Sequence, residues 1–148
     1  MAEIRKSLTI DATADELFDI VEDPSKLPKF VPNVSEVVDI HRTQRRVGDT
    51  FRVIYKVLGL TFDEQFTTTE YDRPTYHTSA FKGGMTGTFR WSFEPDGRQC
   101  KVSVDIHYDV AGGALGKAVD AVMLERTNAK AIEGMLDNLR RMVVKAAS

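Results

Sequence analysis

The stretch TADELFDIVEDP, from Thr13 to Pro24, decides the fold. Thr13 and Glu16 have the spacing of a capping box, in which the threonine hydroxyl and the glutamate carboxylate satisfy free amides of a first helical turn. The apolar residues between Leu17 and Val21 give that helix one side to bury. The closing Asp-Pro pair ends the helix and can begin a second one, because Asp is a good N-cap and Pro a good first helical residue. We therefore predict two short helices in succession here.

Strand-like runs surround these helices, one before them and six after. In most of these runs apolar and polar residues alternate, which is typical of strands that bury one face. The predicted strands run from Ile4 to Ile10, Val34 to Ile40, Thr50 to Val57, Leu60 to Tyr71, Thr75 to Phe81, Thr86 to Glu94 and Cys100 to Val110. Short connections rich in Gly, Asp and Pro separate the later runs, so neighbouring strands should be antiparallel.

One long helix is predicted at the end of the chain, from Leu115 to about Val144, because apolar residues recur there at helical spacing. The expected class is α+β: a seven-stranded curved antiparallel sheet wrapped around a long C-terminal helix, with two short helices between strands 1 and 2. At 148 residues, a single domain spanning 1–148 is the simplest organisation. A strongly curved sheet cannot close fully on one helix, so this plan predicts a cavity between them.

Composition excludes several classes of function. The net charge of −2 argues against nucleic-acid binding, which needs a concentrated basic face. Cys100 is the single cysteine, so no intramolecular disulfide and no cysteine-rich zinc site can form. Met1 to Lys6 runs straight into a strand, so we expect no signal peptide. No apolar stretch approaches the about 20 residues of a membrane span, and we expect a cytoplasmic protein.

The inner face of the sheet is apolar and aromatic, and it admits two interpretations. Alternation puts Tyr55, Phe89, Trp91 and Tyr108 on the side of the apolar residues. Either these side chains pack solidly against the last helix, or they line a small-molecule pocket in which tyrosine hydroxyls orient the ligand. The periodicity leaves both open. The pocket interpretation requires a cavity of at least about 300 Å³.

Glu64 lies between Phe62 and Phe66 on the same apolar face. A carboxylate in a dry interior is costly unless it is paired or protonated. Arg126, at the edge of the apolar stripe of the last helix, is one candidate partner. The alternative is that a bulge turns Glu64 outward while Arg126 reaches solvent.

No constellation of catalytic or metal-ligating residues stands out in the sequence. Asp105, His107 and Asp109 share one strand face, but it is opposite to the apolar face, so we expect a solvated surface and no metal site. His41 and His77 are isolated, and we expect no histidine to face inward. The glycine-rich segment before the last helix lacks the Gly and Ser/Thr of a phosphate-binding loop. We expect no cofactor, and binding ranks above catalysis.

Two segments are candidates for the mouth of the cavity. Leu58 and Leu60 put apolar side chains at a hairpin tip, and Gly112-Gly113 supplies a joint ahead of the last helix. The leucines either contact a membrane surface or an entering apolar ligand, or they cover the core. Both interpretations stay open at this point.

Three segments resemble the START-like superfamily (SRPBCC), the polyketide cyclase/dehydrase and lipid transport proteins. They are the opening from Ile10 to Phe30, the run GTFRWSFEP from Gly87 to Pro95, and LERTN from Leu124 to Asn128. The resemblance covers essentially the whole chain and implies a helix-grip fold, with a hydrophobic cavity between the sheet and the last helix. It also implies that members bind lipids, quinones, polyketides or similar molecules, and that some catalyse cyclisation or dehydration.

The resemblance implies a set of ligand-binding residues by position. They are Val53, Tyr55, Glu64, Phe66, Tyr76, Phe89, Trp91, Ile106 and Tyr108 from the sheet, and Val122, Glu125 and Ala129 from the last helix. The expected function is binding or carriage of a hydrophobic small molecule (lipid, quinone or polyketide-like). The alternatives are a polyketide cyclase/dehydrase-type enzyme, with Glu64 or a tyrosine as acid or base, and a protein-interaction module with a filled core. We expect a monomer or weak dimer that contacts membranes transiently and binds no nucleic acid.

Overall fold

A computed structural model gives the structure of residues 2–110 and 120–147. The elements are β1 (Ala2–Ile10), α1 (Ala14–Val21), a 3₁₀ helix (Pro24–Lys26), α2 (Leu27–Phe30), β2 (Val34–His41), β3 (Thr50–Val57), β4 (Leu60–Asp72), β5 (Tyr76–Lys82), β6 (Met85–Asp96), β7 (Gln99–Val110) and α3 (Ala121–Ala147). The predicted order and type of the elements are confirmed, and each strand end lies within two residues of its predicted position.

The strands form one antiparallel sheet in the order β1-β7-β6-β5-β4-β3-β2. β1 and β2 therefore lie at opposite edges, although only the short helices separate them in sequence. The inner face of the curved sheet carries buried residues such as Phe62, Trp91 and Val104. Helix α3 packs on this face, and the predicted helix-grip arrangement is confirmed.

Side-chain caps set the beginnings of the short helices. The Thr13 hydroxyl accepts a hydrogen bond from the Glu16 amide at 3.2 Å, which is one half of the predicted capping box. Asp23 accepts a hydrogen bond from the Ser25 amide at 3.0 Å and so caps the 3₁₀ helix. These caps fix the direction of α1, which buries the whole ring of Phe18 against the sheet.

Helix α3 begins at Ala121, after the N-cap residue Asp120. The Asp120 carboxylate accepts hydrogen bonds from the amides of Val122 and Met123 at 3.0 and 3.1 Å. Residues 111–119 lie outside the described residues. The predicted helix start at Leu115 and the predicted Gly112-Gly113 joint therefore fall in a part of the chain about which the structure says nothing.

Polar contacts connect α3 to α2 and to the edge strand β1, while its residue Leu139 is fully buried. Asn138 donates a hydrogen bond to the backbone carbonyl of Phe30 at 2.9 Å. The Lys6 ammonium of β1 lies 2.8 Å from Glu133.

Among the described residues, no helix has the length and apolar character needed to cross a membrane.

The β3–β4 hairpin turns through Leu58 and Gly59, whose φ angles are 52° and 78°. Two positive φ angles in a two-residue turn are typical of a type I′ turn, in which Asn-Gly is the preferred pair. Leucine is disfavoured in this left-handed region by about 1–2 kcal/mol. Its side chain is 44% exposed, so burial offsets little of that strain.

We expect Leu58→Asn to raise the free energy of unfolding by about 1 kcal/mol, because Asn tolerates the left-handed conformation. Urea denaturation followed by circular dichroism measures the change. Leu60→Asn is the matched control: Leu60 packs against the core, so its replacement should lower the free energy of unfolding. A Leu58→Asn protein less stable than the wild type would contradict the conclusion that the positive φ angle of Leu58 lowers stability.

Candidate functional site

Two adjoining cavities lie between the inner face of the sheet and α3. The first has a volume of about 130 Å³ and the second a volume of about 90 Å³. The walls are mostly apolar and share six residues: Val31, Val34, Val53, Phe66, Phe89 and Ile132. The interior is therefore not packed solidly. Each cavity is nevertheless smaller than the about 300 Å³ that the pocket interpretation required.

Most of the lining residues expected from the resemblance border these cavities. Of these residues, the first cavity is lined by Val53, Tyr55, Glu64, Phe66, Phe89, Ile106 and Tyr108. The second cavity is lined by Val53, Phe66, Phe89 and Trp91. Four expected residues border neither cavity: Tyr76, Val122, Glu125 and Ala129.

The register of β5 corrects the expected position of Tyr76. Tyr76 lies on the outer face, where the guanidinium of Arg90 covers its ring at 4.3 Å from the centroid. Its neighbour His77 takes the inner position, because it pairs with the inward-facing Trp91 of β6. Alternation could not settle the face of β5, since this strand carries polar residues at both parities. The expectation that no histidine faces inward is therefore wrong.

The face that α3 turns toward the cavities also differs from the expected one. Val122 is 59% exposed and Glu125 is exposed, whereas Ala129 packs against the core without reaching a cavity. The expected residues were those that the family resemblance implied by position, but the buried stripe of the described helix starts at Leu124. The residues of α3 that line the cavities are Asn128, Ala131, Ile132 and Met135.

Glu64 of β4 faces inward and is 1% exposed. Its Oε1 atom accepts a hydrogen bond from the hydroxyl of Tyr55 on β3. Its Oε2 atom is buried and has no hydrogen-bond partner in the described ranges. The inward orientation inferred from alternation is confirmed. The partner is Tyr55 and not the expected Arg126, which is exposed.

Burial raises the pKa of Glu64 from its ordinary value of 4.5 to about 7. The negative charge of Asp63 acts in the same direction, whereas the Tyr55 hydroxyl and the Met85 backbone amide act against it. The neutral carboxylic acid is therefore substantially populated at neutral pH. Burial also raises the pKa of Tyr55, and Glu64 adds to this effect, so the phenol stays protonated.

A close approach of backbone segments holds Glu64 in place. A Cβ atom at Gly83 would lie 2.2 Å from the carbonyl oxygen of Asp63 and 3.0 Å from the Cα of Glu64. A distance of this kind leaves room for glycine alone. Gly83 thus lets the β5–β6 connection pass directly against Glu64.

A second polar pair lies in the wall of the first cavity. Asn128 of α3 donates a hydrogen bond to the Tyr108 hydroxyl of β7 at 3.2 Å, and it lies 3.6 Å from the Met85 sulfur. Because Tyr108 accepts this bond, its own proton stays available as a donor. Burial raises the pKa of Tyr108, so the hydroxyl is neutral. The first cavity therefore has two polar positions in an apolar wall, Tyr55–Glu64 and Tyr108–Asn128.

The second cavity contains polar residues that the sequence did not single out. Glu22, His77 and Ser79 line it. The Nε2 atom of His77 lies 3.4 Å from the Thr68 hydroxyl, and its buried Nδ1 has no hydrogen-bond partner among the described residues. Burial lowers the pKa of His77, which keeps the ring neutral at neutral pH. Glu22 accepts a hydrogen bond from the Tyr71 hydroxyl at 2.5 Å.

Asp105 and His107 lie outside the cavities, where Glu3 of the paired strand β1 joins them. Arg5 places its guanidinium among these groups, with Nε 2.6 Å from a Glu3 oxygen and 3.5 Å from an Asp105 oxygen. Since Arg5 already pairs with both carboxylates, we interpret this cluster as a surface ion-pair network.

Residues 1–144 match the family model described as polyketide cyclase / dehydrase and lipid transport. The chain belongs to this family. The START-like resemblance of the opening stretch and of the β6 run is thereby confirmed. The sequence has no significant match among curated proteins.

Solved structures share the fold of this family member at low sequence identity. A START superfamily protein from Mycobacterium smegmatis is 16% identical, with a TM-score of 0.81 over 97% of this chain and 98% of its own. The Zhui aromatase/cyclase from a Streptomyces species is 14% identical, with a TM-score of 0.78 over 99% and 96%. The major latex-like protein 151 of Panax ginseng is 14% identical, with a TM-score of 0.73 over 95% and 96%.

Glu64 should make the stability of this family member depend on pH. Because its folded pKa of about 7 exceeds the ordinary 4.5, its contribution is fully present below about 4.5 and is lost as the pH rises through about 7. We expect the wild type to lose up to about 3 kcal/mol of unfolding free energy relative to Glu64→Gln over this interval. Guanidinium denaturation of both proteins at a series of pH values measures it.

Glu36→Gln is the control for this experiment, because Glu36 is an exposed glutamate on β2. It should retain the pH dependence of the wild type. Parallel pH profiles for the wild type and Glu64→Gln would contradict the effect of burial on Glu64.

Proposed function

We propose that the protein binds a small hydrophobic molecule between the sheet and α3. The observation that carries the proposal is the pair of adjoining apolar cavities, whose walls include a few isolated polar groups. Ligand sites in proteins typically combine an apolar wall with a few such orienting groups. The description of the family as cyclase, dehydrase and lipid transport proteins supports this function. Neither cavity reaches the about 300 Å³ expected of a ligand pocket, so the proposal includes an expansion of this space on binding, whereas an interaction module would keep the interior as it is.

The volumes favour a ligand about the size of a single ring. An apolar cavity of about 150 Å³ holds benzene, and the first cavity has a similar volume of about 130 Å³. Phe66 and Phe89 belong to the walls of both cavities. A longer lipid, quinone or polyketide-like ligand therefore requires these rings to rotate, which would merge the two spaces.

We expect Ala131→Leu to weaken the binding of single-ring aromatic probes by at least about tenfold, because the longer side chain fills the first cavity. Ligand-detected NMR or calorimetry with toluene as the probe measures the affinity. Ala121→Leu adds the same atoms at an exposed position of the same helix and should leave binding unchanged. Equal affinities of the wild type and Ala131→Leu would place the binding site elsewhere.

A polyketide cyclase/dehydrase-type enzyme is the second candidate function. The observation that favours it is the buried carboxyl group of Glu64, whose pKa of about 7 suits proton transfer near neutral pH. Tyr55 and Tyr108 are the candidate partners for a second proton transfer in the same cavity. Conversion of a poly-β-ketone substrate to an aromatic product, abolished in Glu64→Gln, would support this function over simple binding.

We further propose a cytoplasmic monomer or weak dimer that contacts membranes transiently through the β3–β4 hairpin. Leu58 is exposed at the hairpin tip, and the adjacent Val57 lines the first cavity, so the tip lies next to a wall of the proposed site. A leucine kept at an unfavourable φ suggests a function that outweighs the strain.

We expect Leu58→Asn to lower the fraction of protein that sediments with phosphatidylcholine vesicles, because the variant removes the exposed apolar tip. Val47→Asn is the matched control, since Val47 is an equally exposed apolar residue at 48% in a different loop. Equal sedimentation of the wild type and Leu58→Asn would contradict a membrane role for the hairpin.

A further inference from the structure

The Oε2 atom of Glu64 is a buried polar atom in the wall of the first cavity with no hydrogen-bond partner in the described ranges. Leaving such an atom unpaired is costly, so its natural complement is a polar atom of the occupant. We propose that the ligand presents a neutral carbonyl or similar hydrogen-bond acceptor, which the protonated carboxyl group of Glu64 binds. This inference rests on the proposed binding function.

The surroundings of Glu64 favour its protonated form. The titratable groups that face it from packed elements are the neutral Tyr55 of β3 and, beyond Tyr55, Tyr108 of β7. Asp63 flanks it on β4 with a charge of the same sign, and α3 contributes the uncharged Asn128 to the same cavity. No Lys or Arg of the described residues contributes a positive charge that would stabilise a carboxylate here.

We infer the position of the proton in the neutral carboxyl group from the oxygen that lacks a hydrogen-bond partner. Tyr55 donates to Oε1, which therefore acts as the carbonyl-type oxygen. The proton is then carried by Oε2, the atom without a protein partner. A carboxylic acid in this state donates a hydrogen bond and recognises an acceptor on the ligand.

Tyr108 supplies a second donor in the same cavity. Its hydroxyl accepts a hydrogen bond from Asn128 at 3.2 Å and keeps its own proton available. Tyr108 lies close enough to Tyr55 to raise the pKa of that phenol, so the two polar positions are neighbours. A carbonyl oxygen has two lone pairs and can accept from both donors, whereas an amine or a hydrocarbon cannot.

Three ring compounds of nearly the same shape test the proposal: acetophenone, isopropylbenzene and 1-phenylethylamine. We expect the wild type to bind acetophenone at least about tenfold more tightly than isopropylbenzene at about pH 5.5. The preference should weaken at about pH 8.5 to the part that Tyr108 supplies, because Glu64 is then ionised and no longer donates. Calorimetry or ligand-detected NMR measures all three affinities.

Two variants separate the role of Glu64 from general effects on the cavity. Glu64→Gln keeps a donor that does not titrate, so its preference for acetophenone should persist at both pH values. Glu64→Met has a similar size but no donor at this position, so its preference should equal, at both pH values, the weaker preference of the wild type at about pH 8.5. Glu36→Gln should behave as the wild type at both pH values.

The outcomes distinguish this inference from the proposed function. Equal binding of acetophenone and isopropylbenzene would overturn the carbonyl assignment while leaving a hydrophobic ligand site intact. Preference for 1-phenylethylamine at about pH 5.5 would overturn it in favour of a Glu64 that stays ionised at that pH and binds cations. Absence of binding by all three compounds would overturn the proposed function together with the inference.

Discussion

One helix cannot cover the inner face of a seven-stranded curved sheet, and this mismatch determines the interior of the molecule. α3 fills part of that face with Met135 and Leu139, and α1 fills another part with Phe18. The space between these contacts stays open as the two cavities. Protein interiors are normally close-packed, and unfilled apolar volume lowers stability. A ligand in this space would offset that cost, which couples occupancy to stability.

The same mismatch explains how a carboxyl group comes to lie among aromatic rings. In a solid core Glu64 would need a complete set of protein partners, but beside a cavity its Oε1 atom is bonded to Tyr55 while its Oε2 atom has no hydrogen-bond partner among the described residues. Desolvation then favours the protonated state. Beside the cavity, the Glu64 carboxyl group can therefore act as a neutral hydrogen-bond donor toward a bound ligand.

The sequence predicted those parts of the site in which local periodicity decides the geometry. β3, β4, β6 and β7 alternate well enough to place Val53, Glu64 and Ile106 on the inner face. Apolar and polar residues do not alternate in β5, so only its pairing with β6 shows that His77, and not Tyr76, lies on the inner face.

The contact between Tyr55 and Glu64 could nevertheless have been predicted from the sequence. A two-residue turn at Leu58-Gly59 fixes the pairing of Val57 with Leu60 and hence of Val53 with Glu64. Tyr55 is then a diagonal neighbour of Glu64 on the same face. The face of α3 that lines the cavities could not be predicted, because the rotation of the helix about its axis depends on packing over its whole length.

Four titratable groups that line the two cavities have pKa values shifted in favour of their uncharged forms. Burial raises the pKa of Glu64, Tyr55 and Tyr108, whereas it lowers the pKa of His77. Glu22 at the second cavity is ion-paired with Arg73, whose guanidinium lies 3.2 Å from the carboxylate. Acids and a base shifted in opposite directions have one common cause, which is an interior poor in water. A ligand bound in such an interior would lose its contact with water, which would favour an uncharged molecule over an ion whatever the shape of either.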